Sequence, residues 1–270
     1  MRPRPVLKWV GGKGRLLPEL LARLPASFGA YHEPFVGGGA LFFALAGAGR
    51  LGRVYLSDAN AALIDVYLAL RDDVEGVIAA LGHHHYERDY YYRVRAQSPD
   101  DLSLPERAAR VIYLNKTCYN GLYRENRAGQ FNVPFGRYTN PTICDEPNLR
   151  AVSATLRDVD IARRRFDTVL DYAKPGDFVY FDPPYVPLSA TANFTSYDRA
   201  GFGPDDQRQL SHVFAELARR GVRAMLSNSD TPFVRELYAG FSVEQVFAAR
   251  AVNSKANGRG KVAEVLVTNY

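Results

Sequence analysis

Four consecutive apolar residues, Phe178-Val179-Tyr180-Phe181, run directly into Asp182-Pro183-Pro184-Tyr185, and this junction constrains the fold more than any other stretch. A short continuous apolar run suits a strand buried on both faces, as in the centre of a parallel sheet. The prolines end it. Each fixes its own φ, restricts the residue before it and brings no N–H. Beyond the strand's carboxyl end the chain therefore offers a fixed carboxylate acceptor, carbonyl oxygens and an aromatic face. Such a corner can hold a planar amino group edge-on and stack the ring that carries it. The plainer alternative is a proline-terminated strand with a surface tyrosine.

The surrounding sequence reads as α/β. Residues 16–24 show helical spacing, 31–36 read as a strand entering a loop, and Gly37-Gly38-Gly39 opens an apolar helix over 40–48. A second short strand, 54–56, ends at Ser57-Asp58-Ala59-Asn60. From 63 to 148 helical spacing dominates, over 63–70, 74–81 and 106–114, with a Gly/Asn/Arg-rich stretch at 115–141. Alternation then resumes, with strands at 178–181 and 223–226 and helices at 207–219 and 231–239. Residues 243–249 and 263–269 read as an antiparallel pair around a basic loop, 253–261, that includes Lys255. The expected fold is an open α/β sheet with a mostly helical insertion.

Composition excludes several classes. With 270 residues, 47% hydrophobic and 23% charged, the chain can bury a sizeable core. Its net charge of +5 is compatible with a polyanionic partner. Cys118 and Cys144 supply neither a disulfide framework nor zinc spacing, and are expected as reduced thiols of a cytoplasmic protein. His83-His84-His85 has no partner acid or thiol at ligand spacing, so a solvated loop is expected there and no metal site. Arg163-Arg164-Arg165 is expected on a solvated face, and Tyr90-Tyr91-Tyr92 in helix packing. The first residues lack the apolar core of a signal peptide, and no apolar run nears the roughly 18 residues of a membrane span.

Four further constellations carry chemistry. In Glu33-Pro34-Phe35-Val36-Gly37-Gly38-Gly39, glycines between strand and helix let a ligand approach the backbone. Phe42 breaks the dinucleotide spacing, and no P-loop pattern is present. Asp58, about 20 residues on, suits the hydroxyls of a ribose, or alternatively caps the following helix. Lys8-Trp9-Val10-Gly11-Gly12-Lys13 carries the sole Trp, which could cover a purine or sit in the core. In residues 115–138, Arg, Lys and Asn interleave with aromatics in turn-prone sequence, as a base-reading loop requires; a polar surface loop is the alternative.

In order and over nearly the whole chain, these segments resemble the Dam-type DNA adenine-N6 methyltransferases. The resemblance rests on Lys8 to Lys13, Glu33 to Gly39, Asp58 with Asn60, and Tyr119-Asn120-Gly121-Leu122. It continues through Phe131 to Tyr138, Asp182 to Tyr185, the string from Pro187 to Tyr197, and Ser227-Asn228-Ser229-Asp230. The glycine loop precedes the insert and the insert precedes Asp-Pro-Pro-Tyr, matching the family's alpha arrangement. The resemblance implies a Rossmann-like S-adenosylmethionine-dependent methyltransferase sheet, residues 1–62 and 146–270, with an inserted DNA-recognition domain, residues 63–145. It implies double-stranded DNA as partner, no metal, no membrane and a monomer.

Trp9, Lys13, Phe35, Gly37, Asp58 and Asp182 match cofactor positions, and Asp182, Pro183, Pro184 and Tyr185 match the catalytic corner. Lys8, Tyr119, Asn120, Leu122, Arg124, Pro134, Arg137 and Tyr138 match the DNA-contacting positions of members that methylate adenine in GATC. Transfer to cytosine N4 or a protein glutamine would keep a Pro-Pro-Tyr core, and a DNA-binding protein without catalysis is a third possibility. The long insert and basic tail favour DNA over a protein substrate, and the intact Asp182 and Tyr185 favour catalysis.

Overall fold

The computed structural model describes residues 1–126, 128–187, 202–249 and 261–270. The family-like string beyond residue 187 and most of the basic loop, Lys255 included, lie outside the described residues.

Strands β1 (Tyr31–Glu33), β2 (Val54–Asp58), β3 (Asp160–Arg163), β4 (Phe178–Phe181), β5 (Arg223–Ser229), β6 (Ser242–Ala249) and β7 (Lys261–Thr268) form one sheet. Its order is β3-β2-β1-β4-β5-β7-β6. The first five run parallel, and β7 is antiparallel to both β5 and β6. All four residues of β4 are buried. The strand alternates between two cores. Phe178 and Tyr180 join Leu41, Leu63 and Ile112 on one face, while Val179 and Phe181 join Leu210, Phe214 and Val234 on the other. Each buried side chain of this size contributes roughly 1.5–3 kcal/mol. The apolar run at 178–181 is therefore a strand buried on both faces, as its sequence requires.

From β1 the chain winds outward through α2 (Ala40–Gly47) to β2 and then β3; from β4 it winds the other way, through α8 (Pro204–Arg219) to β5 and then α9 (Pro232–Leu237). Connections leaving β1 and β4 thus diverge, and a crevice opens beyond their carboxyl ends. A short α1 (Leu17–Ala22) precedes β1.

Among the described residues, five α-helices lie between β2 and β3: α3 (Ala61–Asp72), α4 (Val74–Gly82), α5 (Arg88–Ala96), α6 (Leu104–Thr117) and α7 (Glu146–Leu156). α6 packs against α3, α4 and α5. A capping box starts it, with the Ser103 N–H donating to Glu106 Oε2 at 2.8 Å. α7 and β3 go beyond the elements read from the sequence, and α5 gives bounds to the helix expected at the tyrosine triplet. Tyr91 is buried in helix packing as expected.

His84 departs from the expected solvated loop. It stacks on Tyr113 at 4.5 Å, bonds the Tyr90 hydroxyl at 2.8 Å, and burial lowers its pKa to about 4. The arginine triplet is not merely solvated either. Arg163 donates to the Ala59 carbonyl at 3.0 Å, and Arg164 pairs with Asp160 at 2.8 Å. Among the described residues no helix is long and apolar enough to cross a membrane, and no group of His, Cys, Asp and Glu is placed to hold a metal ion.

Candidate active site

The crevice between β1 and β4 is a cleft of about 1350 Å³. Its walls include Trp9, Lys13, Phe35, Gly37, Asp58, Asp182, Pro183, Pro184 and Tyr185, so the expected cofactor and catalytic residues converge on one place.

Backbone geometry makes the glycine loop possible. Gly37 and Gly39 have φ of +46° and +66°. A Cβ at Gly37 would meet the Trp9 ring at 2.8 Å, and one at Gly39 the Tyr67 hydroxyl at 2.8 Å. Both positions thus need glycine for conformation and for space. Gly39 caps α2 in the left-handed conformation. The loop is then tied down: the Gly37 N–H donates to Asp58 Oδ2 at 3.1 Å, and the Tyr67 hydroxyl donates to the Gly37 carbonyl at 3.0 Å.

Asp58 is not a helix cap. Asn60 caps α3, accepting the Leu63 N–H at 3.0 Å. Asp58 instead accepts the Gly37 and Asn60 N–H groups at the end of β2, with its carboxylate on the cleft wall. Trp9 is half-buried, lies over the glycine loop and meets the Tyr123 ring at 5.1 Å. It is therefore a cleft residue and not a central core residue. Phe35 stacks on Phe166 at 5.4 Å.

At the corner, Asp182 Oδ1 lies 2.6 Å from Lys13 Nζ. The Ser227 hydroxyl donates to the same carboxylate at 2.9 Å and is itself 2.9 Å from the Tyr180 hydroxyl. Burial raises the Asp182 pKa, against the opposing pull of Lys13 and Ser227. Lys13 Nζ also lies 4.5 Å from the centre of the Tyr185 ring. The Tyr185 hydroxyl donates to Glu264 Oε2 at 2.7 Å. Glu33, buried at the end of β1, also lines the cleft.

A second, smaller depression of about 350 Å³ gathers Tyr119, Asn120, Phe135, Arg137 and Tyr138. Tyr119 is half exposed and Asn120 takes a left-handed conformation, φ +57°. Lys8 Nζ sits 5.3 Å from the Tyr138 ring centre. The Pro134 carbonyl accepts the Tyr119 N–H at 2.8 Å, which joins the two strings expected to act together. Leu122 is half-buried against the core. Arg124 stands exposed on a small hairpin, its Nε donating to Asn132 Oδ1 at 2.7 Å.

Buried Asn115 fastens this region to the cleft. Its side chain bonds both the N–H and carbonyl of Lys8, each at 2.8 Å, and the Gly121 carbonyl at 3.0 Å. Asn115, Glu33, Gln207 and Glu264 were not singled out as site residues by sequence reasoning. Only Glu33 carried a usable signal, as the acid that opens the glycine segment at the end of a strand.

The sheet order, with β7 antiparallel to its neighbours, and an acid-Pro-Pro-Tyr corner at the switch point are the layout of a Rossmann-like methyltransferase. The family of D12 class N6 adenine-specific DNA methyltransferases matches residues 9–252, and the chain belongs to it. It is 42% identical over 99% of its length to the Type II methyltransferase M1.LlaDCHI of Lactococcus lactis subsp. cremoris, covering 95% of that protein. It is 41% identical to the Type II methyltransferase M.MjaIII of Methanocaldococcus jannaschii, each chain covered completely. A DNA adenine methylase of Escherichia coli is 33% identical, over 97% of this chain and 94% of that one.

Proposed function

We propose that the protein transfers a methyl group from S-adenosylmethionine to N6 of an adenine flipped out of double-stranded DNA, within the sequence GATC. One observation carries this reading. Lys13 Nζ already stands as an N–H donor between the Asp182 carboxylate and the face of Tyr185. Those are the two contacts that an adenine amino group and its ring require. The cleft walls also suit the cofactor: an aromatic at Trp9, an acid at Asp58 for ribose hydroxyls, and glycines at the closest approach.

S-adenosylmethionine supplies a methyl group already activated on a sulfonium. The protein's part is positioning and electrostatics. The adenine leaves the stack to reach the cleft. Its N6 lone pair is delocalised into the ring and is a poor nucleophile. Asp182 and the Pro183 carbonyl accept the two N6 hydrogens and favour a pyramidal nitrogen. Tyr185 stacks on the base, and Lys13 moves aside as the amino group arrives. Asp182 takes up the N6 proton once methylation has made it acidic.

Recognition is assigned to residues 63–145, with Lys8, Tyr119, Asn120, Leu122, Arg124, Pro134, Arg137 and Tyr138 as contacts. The test is transfer of labelled methyl to duplex DNA, followed by nucleoside analysis and site mapping. N6-methyladenine in GATC is expected. N4-methylcytosine, or binding without transfer, would overturn the reading, and a consensus unrelated to GATC would overturn the site assignment alone.

Two consequences are measurable. Asp58→Ala should weaken S-adenosylmethionine binding about 10- to 150-fold, the worth of a hydrogen bond to a charged group, with DNA affinity little changed. Calorimetry showing unchanged cofactor affinity would remove Asp58 from the cofactor site. Arg124→Ala should lower discrimination between GATC and one-base variants by about 5- to 150-fold, the worth of a bidentate Arg–guanine pair, while cofactor affinity holds. Identical site preference in the variant, measured by mapping methylated positions, would exclude Arg124 as a base reader.

A further inference from the structure

The corner that carries Tyr185 cannot brace itself. Its two prolines bring no N–H groups, so the hydrogen bonds that stiffen an ordinary turn are missing here. The bracing comes from outside. The Pro184 carbonyl, just before Tyr185, accepts Gln207 Nε2 at 2.9 Å. The Val186 N–H, just after it, donates to Asn228 Oδ1 at 3.2 Å. The two amides also bond each other, Asn228 Nδ2 donating to Gln207 Oε1 at 3.0 Å. Gln207 on α8 is 2% exposed and Asn228 on β5 is 0% exposed. Neither lines the cleft.

The polarity of this chain is fixed at both ends. A proline carbonyl only accepts and a backbone N–H only donates, so neither amide can reverse without opposing like groups. The far end of the ring is held separately, by the Tyr185 hydroxyl on Glu264 at 2.7 Å.

We propose that Gln207 and Asn228 are positioning residues for methyl transfer: by clamping the backbone on both sides of Tyr185 they fix its ring, and the adjoining Asp182, against the flipped base. The inference rests on the adenine-methyltransferase reading of the cleft. Both residues act through Tyr185 and touch no substrate.

Gln207→Glu provides a readout that a filler role would not move. A protonated glutamic acid is isosteric with glutamine, can donate to the Pro184 carbonyl and can accept from Asn228. Once ionised it has no proton to donate and sets a negative oxygen against that carbonyl. Single-turnover transfer to duplex DNA, at saturating cofactor and DNA, would be measured for wild type, Gln207→Glu and Gln207→Leu from pH 6 to 9. Cofactor affinity and the folded fraction would be measured alongside.

Gln207→Leu should be slower by about 10- to 100-fold at every pH, as a small misplacement of a reacting group costs, with cofactor affinity within about twofold. Gln207→Glu should match wild type at low pH and fall about tenfold or more behind it as pH rises. Wild-type rates in both variants across the range, or losses that merely follow the folded fraction, would overturn the clamp alone. If wild type itself transfers no methyl group to adenine, the reading of the cleft fails and the clamp falls with it.

Discussion

Asp182→Ala is expected to lower the single-turnover rate of methyl transfer by about 10²–10³-fold, the loss seen when one preorganised hydrogen-bonding group is removed from a reacting centre. The carboxylate is the fixed acceptor at the switch point, held by the Ser227 hydroxyl at 2.9 Å and by Lys13 at 2.6 Å. Without it the N6 hydrogens have one acceptor fewer and the amino nitrogen stays flat and unreactive. Alanine also leaves Lys13, 7% exposed, without its carboxylate partner, so stability should fall too. Asp182→Asn separates the two effects. It keeps the size and one oxygen, and presents an NH₂ where an acceptor is needed. Its transfer rate should fall nearly as far, with DNA affinity close to wild type and a smaller loss of stability than in the alanine variant, because the amide oxygen still accepts from Lys13 and Ser227. Near-wild-type transfer by folded Asp182→Asn and Asp182→Ala proteins would sink the assigned mechanism.

The corner was legible because its signals are local. Four apolar residues suit a strand buried on both faces, and two prolines mark its end. The glycine segment and Asp58 were legible for the same reason, though the capping use of Asp58 was excluded only by seeing Asn60 cap α3. What the sequence withheld was adjacency. Glu33 and Asp182 are far apart in the chain, and only the placing of β1 beside β4 brings them to one cleft. Gln207 looks like an ordinary helix residue, and Asn228 stands out only as part of a family-like string, until α8 packs beside β5 and joins the two.

The missed elements have physical reasons. β3 is Asp160-Ile161-Ala162-Arg163, too short and too polar for an alternating pattern. The bounds of α5 were not legible, because it carries three consecutive tyrosines among charges and its buried stripe, Tyr91 and Val94, is masked by aromatic neighbours at half-exposed positions. His84 looked solvated because its partners, Tyr90 and Tyr113, come from separate helices.

Glu33→Gln is expected to flatten the pH dependence of stability. Glu33 is 3% exposed at the carboxyl end of β1. The groups facing it include Tyr31 from its own strand, Tyr180 from β4, Asp182 just beyond that strand, Asp58 from β2 and Tyr67 from α3. Burial raises the carboxyl most, and the negative charges of Asp182 and Asp58 add to it. The Tyr31 hydroxyl, donating at 2.8 Å, and a backbone bond from Phe42 oppose the rise. The carboxyl is pushed up from 4.5 to about 8.

A group that binds its proton more tightly when folded stabilises the fold fully below its unfolded pKa, and that contribution is lost as pH rises through the folded one. Stability should therefore decline between pH 5 and 8 at up to about 1.4 kcal/mol per pH unit, a loss on the order of 4 kcal/mol from this one residue. Glutamine keeps the size and an acceptor for Tyr31 and does not titrate. The variant should match wild type near pH 5 and exceed it by a few kcal/mol near pH 8. Urea unfolding across that range decides the matter. Equal slopes in variant and wild type would mean that Glu33 keeps an ordinary carboxylate pKa despite its burial, and that a positive charge nearby compensates it.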